Sequence, residues 1–226
     1  MTLYSYCLRI DAGAAPNPYW GVCTLAICKP AIRRKAGVGD WVVGLGAMHS
    51  PIGDLSGKLV YAMKVSRALS MKEYDDHCRK SLREKIPDWS KAADFRRKVG
   101  DSIYDYSHLG LPKLRPSVHT ESNRKTDLGG LNVLLSDQFY YFGDKPINLP
   151  ECLSPIVQQT QGHKSRANDK YLDQFVTWIE GKGYIRNAIL GEPQDKERVM
   201  SMSLDECRSA WSRQHHEEDE QDEICQ

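Results

Sequence analysis

The chain carries 226 residues, 27% charged and 40% hydrophobic, with a formal net charge of +1. That balance suits one globular core and excludes a disordered chain or a strongly basic nucleic-acid coat. Cysteines at 7, 23, 28, 78, 152, 207 and 225 form no C-x-x-C pair, which sets aside a zinc ribbon or disulfide framework and leaves reduced, mostly buried thiols.

Taken in chain order, Tyr4, Tyr6, Leu8 and Ile10 alternate on one face of a first strand. Asp11-Ala-Gly-Ala-Ala-Pro-Asn-Pro18 cannot be regular, because two prolines remove donors and bias their predecessors to extended shapes. Gly21–Cys28 reads as a buried strand. A Gly39-Asp40 turn then feeds an apolar strand over 40–45, and a partner strand follows over 58–65. Ser70-Met-Lys-Glu73 is a capping box that opens a helix, with Tyr74, Cys78, Leu82 and Ile86 as its apolar stripe and Pro87 closing it.

Residues 87–130 show little periodicity, and long irregular segments within compact domains tend to carry function. Strand signals return at 131–136 and 139–142 as an expected hairpin, in which Tyr140 and Phe142 take one face and Phe139 and Tyr141 the other. A helix over about 168–180 places Tyr171, Phe175, Trp178 and Ile179 together, and Ser203-Leu-Asp-Glu206 caps a last helix carrying Cys207 and Trp211. The order predicts an α+β fold in one domain over 1–212: a mixed barrel with helices packed around it, followed by an acidic, disordered tail over 213–226. With no leader pattern and no apolar run near about 18 residues, a cytoplasmic protein without membrane contact is expected.

The segments Asp11 with Ala15-Pro-Asn-Pro18, Gly21-x-Cys-Thr-Leu-Ala-x-Cys-Lys-Pro30 with Ile32-Arg33, Gly39–Gly44, Leu55–Val65, Gly100-Asp-Ser-Ile-Tyr104 and Val133–Gly143 together resemble the nucleotide modification associated domain 2 family. The resemblance runs over about 3–190. It implies a place near modified nucleotides and base-hypermodification systems. The Gly-Asp strand is also similar to the PUA, EVE and ASCH barrels, which bind RNA or modified bases; that implies a PUA/EVE-like barrel by fold analogy.

A barrel that holds a base needs an aromatic face and a few fixed polar groups. Tyr19, Trp20, Trp41 and Tyr141 are the candidate rings, and Asn17 offers a donor and an acceptor to a base edge. Lys29, Arg33 and Arg34 form a candidate phosphate clamp, with His163 and Lys164 ahead of the late helix as a second anion site. The leading expectation is therefore a module that binds a modified nucleobase, in nucleic acid or as a nucleotide. The alternative is an enzyme that modifies or removes a base in the same cleft, with Asp11, Asp101, Tyr104 and His119 as its catalytic candidates. His119 and Asp127 could form an acid/base pair, and Cys28 beside Lys29 could be an activated thiol, although nothing nearby in sequence supplies its base. No P-loop, G-x-G-x-x-G, H-E-x-x-H or G-x-S-x-G occurs; no cofactor and no metal are expected, and the sequence leaves open whether the protein is an enzyme.

Overall fold

The computed structural model describes residues 1–91, 93–158 and 162–210. Among the described residues twelve strands form in chain order: β1 (Leu3–Leu8), β2 (Cys23–Leu25), β3 (Trp41–Gly46), β4 (Lys58–Lys64), β5 (Arg67–Ser70), β6 (Tyr104–Asp105), β7 (Lys113–Leu114), β8 (Asn132–Ser136), β9 (Gln138–Tyr141), β10 (Ile147–Asn148), β11 (His163–Lys164) and β12 (Ala188–Ile189). The helices are α1 (Pro30–Lys35), α2 (Met71–Ser81), α3 (Phe95–Lys98), α4 (Arg124–Gly129), α5 (Leu172–Gly181) and α6 (Lys196–Ser201). A further helical stretch covers 204–210, with Ser203 and Glu206 exchanging the hydrogen bonds of a capping box.

One sheet runs β11-β1-β3-β4-β9-β12, with β10 beside β4. Its β1–β3 and β9–β12 pairs are parallel and the others antiparallel. A second, antiparallel sheet runs β2-β8-β5, and β6 pairs with β7.

Side-chain alternation stacks these sheets into four layers. Tyr4, Tyr6, Leu8, Val42, Met63, Phe139 and Tyr141 face inward against Cys23, Leu25 and Leu134 of the smaller sheet. On the outer face of the large sheet, Trp41, Val43, Ala62, Tyr140 and Phe142 pack on Phe175 and Ile179 of α5. Val133 and Leu135, on the far side of the smaller sheet, pack on Met71, Tyr74 and Cys78 of α2. Gly44 leaves the space that the Tyr61 ring fills between the sheets.

The α+β class holds, but none of the three sheets closes on itself, so the expected barrel is an open pair of stacked sheets. The physical reason lies in two bends. β4 and β5 form one run that crosses from the large sheet to the small one at Val65–Ser66, and β8 and β9 cross back at Asp137. The expected hairpin over 131–142 is therefore a kinked strand whose halves pair with different partners. At that kink the Ser136 hydroxyl accepts from the Gln138 amide and donates to its carbonyl, replacing ladder bonds.

The capping box at Ser70 and Glu73 is present. The helix stops at Ser81, however, and a 3-10 turn over Arg83–Lys85 drives Lys85 into the interior. Trp211 and the acidic segment 213–226 lie outside the described residues. No helix among the described residues is long and apolar enough to cross a membrane.

Candidate active site

The chain leaves β2 through a sharp turn in which Cys28 (φ 56°) and Lys29 (φ 43°) both take the left-handed conformation before Pro30 opens α1. Neither residue is glycine, so the turn costs on the order of 1–2 kcal/mol per residue and must be held by its surroundings. The holding group is Asp127 of α4, whose Oδ1 accepts the Cys28 amide at 3.0 Å. Its Oδ2 lies 2.7 Å from His119 Nδ1 and accepts the Tyr104 hydroxyl at 3.0 Å. On the other edge of the imidazole, His119 Nε2 lies 3.6 Å from Cys28 Sγ. Cys28 is 5% exposed, His119 1% and Asp127 0%.

Burial pushes the Asp127 carboxyl upward, but His119, Arg33 and the Cys28 amide outweigh it and hold the group below its ordinary value. Asp127 is thus a carboxylate and offers only acceptors, so the ring donates to it through Nδ1–H and leaves Nε2 as the atom that faces the thiol. Burial, then the Asp127 carboxylate, push the Tyr104 hydroxyl up, which keeps it a donor. The Arg124 guanidinium lies 5.5 Å from the Tyr104 ring centre. Arg33, fully buried, donates to the carbonyls of Ala26 and Asp127 and so ties the Cys28 turn to α4. Gly130 is what admits that guanidinium, since a Cβ there would overlap it.

The ligand atoms of Cys28, His119 and Asp127 lie within 4.8 Å of one another, close enough to consider a metal ion. The directions argue otherwise. Asp127 bonds Nδ1 and the Cys28 amide, whereas the thiol meets Nε2, so a cation at the thiol would gain two protein ligands and the carboxylate would act from behind the ring. The arrangement is that of a nucleophile, a base and the group that orients the base.

The remaining sequence candidates disperse. Asp11, fully buried, accepts the Tyr141 hydroxyl at 2.6 Å and the Gly13 amide at 3.1 Å. Tyr141 itself is interior, and Trp41 is interior too, packed edge-on against Phe175 with ring centres 5.6 Å apart. Asn17 is fully buried; it donates to the Val99 carbonyl and accepts from Lys85 Nζ at 2.7 Å. Asp101 is bound by the hydroxyls of Thr24 and Tyr74, at 2.5 and 2.6 Å.

The expected phosphate clamp is split: Arg33 points inward, the Lys29 ammonium lies 5.2 Å from the Tyr6 ring centre, and Arg34 is exposed and donates to the Gly129 carbonyl. Lys164 donates to the carbonyls of Pro155 and Val157, and the His163 ring lies 6.1 Å from that of Tyr4. Tyr19 and Trp20 line an open groove, and Trp41 borders another beside Met1, Lys64 and Leu172; Cys28 lines neither. Sequence reasoning missed Lys85 and the Tyr6–Tyr61 hydroxyl pair at 2.9 Å. The sequence singles out Cys28 and the His119–Asp127 pair separately, and a separation of 91 positions between the thiol and the imidazole hides their meeting.

No curated protein and no solved structure matches the chain. A family model does, over residues 1–200, and on that match the chain belongs to the nucleotide modification associated domain 2 family.

Proposed function

We propose that this protein is an enzyme of nucleotide modification in which the Cys28 thiol attacks the base or a group attached to it. The observation that carries the reading is the line Cys28 Sγ–His119 Nε2, His119 Nδ1–Asp127 Oδ2, with spacings of 3.6 and 2.7 Å, on a turn strained at Cys28 itself. Membership of a family associated with nucleotide modification supplies the substrate class. A modified base, in a strand or as a free nucleotide, belongs to the range of substrates this reading covers.

In such a step the thiol proton passes to Nε2 as the Sγ–carbon bond forms. The electron pair displaced from the attacked carbon goes to its neighbouring oxygen or nitrogen, which takes the proton back from the imidazolium. Asp127 stabilises that imidazolium without itself becoming protonated.

The test is mass spectrometry of the protein and of nucleosides after incubation with plain and modified nucleotides and oligonucleotides. A changed base or an adduct on Cys28 is expected, lost in Cys28→Ala and reduced by about a hundredfold or more in His119→Ala. Iodoacetamide gives a readout that needs no substrate: at pH 7 Cys28 should be alkylated at least about tenfold more slowly in His119→Ala. Equal alkylation rates, or conversion that survives Cys28→Ala, would overturn the proposal.

A further inference from the structure

The loop over 106–112 that joins β6 to β7 carries Leu109 and Leu111, 103% and 82% exposed. They are the two most exposed large apolar side chains among the described residues. Single leucines scattered over a surface are ordinary. Two on one short tip, separated by Gly110 at φ 93°, make a protruding apolar point.

The tip is anchored at both ends. Asp75 takes the Tyr106 amide at 2.9 Å, Asp105 takes the Ser107 amide at 2.8 Å, and Arg124 donates to the Pro112 carbonyl at 2.7 Å. The same elements reach the thiol: Arg124 opens α4, whose Asp127 binds the Tyr104 hydroxyl of β6, the His119 ring and the Cys28 amide. At the far end of α4, Arg34 of α1 donates to the Gly129 carbonyl. The hairpin, α4 and α1 therefore form one connected run that holds the Cys28 turn.

The exposed cations of this run are Arg34, Lys35, Lys113 and Lys125. Its acids outside the interior, Asp105 and Glu121, are paired with Arg115 and Arg124, and the tip itself has no acidic residue. Such a surface suits a polyanion that also offers the leucines an apolar place. A single strand is held by stacking its bases on exposed rings, and no aromatic side chain among the described residues is exposed. A duplex offers what an aliphatic tip can use: the gap between neighbouring base pairs, entered by a wedge while cations take the phosphates. We propose that the hairpin tip and its flanking cations bind duplex nucleic acid, with Leu109 and Leu111 prising apart a base step. The inference rests on the thiol reading for its chemistry, and it narrows the substrate of Cys28 to a base loosened from a duplex rather than a free nucleotide.

Fluorescence anisotropy of the full chain with labelled DNA and RNA duplexes, and with the matching single strands, tests this. A duplex of each kind carries 2-aminopurine, which brightens when unstacked. A duplex should bind at least about tenfold more tightly than its single strand and brighten, and the DNA and RNA arms tell which polymer is the source. Leu109→Ser with Leu111→Ser, at positions outside the core, should weaken duplex binding about tenfold and abolish the brightening. Lys113→Gln and Lys125→Gln should weaken binding alike for all sequences, each lowering the salt slope by about one. Base conversion confined to free nucleotides, single strands bound as tightly as duplexes, or brightening kept in the leucine variant would overturn the proposal. So would leucines that matter for binding vesicles of anionic lipid and not for binding a duplex. Duplex binding with brightening but no converted base would uphold this surface and strike the thiol reading, so the two failures are told apart.

Discussion

The carboxyl of Asp11 is enclosed between the two sheets, and removing it from water pushes its pKa from 3.8 to about 7. The Tyr141 hydroxyl and the Gly13 amide oppose that rise, while Asp144 and Asp195 add to it. In the unfolded chain the group ionises at its ordinary value; in the fold it keeps its proton up to near neutrality. Between those two values the folded state binds more protons than the unfolded state, so stability falls as pH rises and levels off above about 7. At about 1.4 kcal/mol per pH unit, the full span amounts to about 4 kcal/mol.

Asp11→Asn tests the sign and the size together. The amide is the same shape, its oxygen can accept from Gly13, and its NH2 can donate to a Tyr141 hydroxyl turned to accept. Because the amide does not ionise, the variant should match the parent near pH 4 and exceed it in urea denaturation by up to about 4 kcal/mol at pH 8, with the gap opening between. A stability difference that stays constant with pH, or a variant weaker at every pH, would refute the account of Asp11 as a carboxyl forced to ionise in a dry interior.

Two substitutions address the frame around the thiol. Gly130→Ala places a methyl where the Arg33 guanidinium lies, and should cost about 1–3 kcal/mol in urea denaturation while slowing Cys28 alkylation, because the turn loses its tie to α4. Lys85→Met removes the ammonium bound to both oxygens of Asn17, the Val22 carbonyl and the Thr24 hydroxyl, and leaves Asp101 buried without its nearby cation. It should cost about 3–5 kcal/mol by the same measurement, and a loss under about 1 kcal/mol would show the network to be dispensable.

Local patterns carried the reading of the chain a long way where periodicity and capping act over a few residues. The alternation of Tyr4, Tyr6 and Leu8, the opposite faces of Tyr140 and Tyr141, and the Ser70–Glu73 box all stand as the sequence implied. Closure of the sheet was not legible, because it depends on bends at Ser66 and Asp137 that redirect hydrogen bonds between sheets, and nothing in the local composition distinguishes such a bend from a hairpin turn. Two of the four candidate rings lie away from any shared cleft for a related reason. Trp41 and Tyr141 belong to interior faces on both sides of the large sheet, and a strand buried on both faces loses the alternation that separates core from cleft. His119 and Asp127, eight residues apart, could be paired on the page, but Cys28 could not be joined to them without the fold.

The histidine stands in the irregular segment 87–130, and a base on a mobile loop would serve a nucleophile poorly. The segment is instead pinned from both sides. Asp101 takes the hydroxyls of Thr24 on β2 and Tyr74 on α2, which fixes the chain entering β6. Asp75, one residue further along α2 and 1% exposed, takes Arg115 at 2.7 Å and the Tyr106 amide at 2.9 Å, which fixes the β6–β7 pair just ahead of His119. Beyond the histidine, Arg124 donates to the Pro112 carbonyl and folds the start of α4 back onto β7. Each tie is an ionisable group buried or half-buried against an element of the core, the kind of contact that is costly to break one partner at a time. The imidazole is thus oriented by Asp127 and the segment that carries it by Asp75 and Asp101, so in the proposed reaction the thiol would meet a base already in place, with no further ordering of the loop.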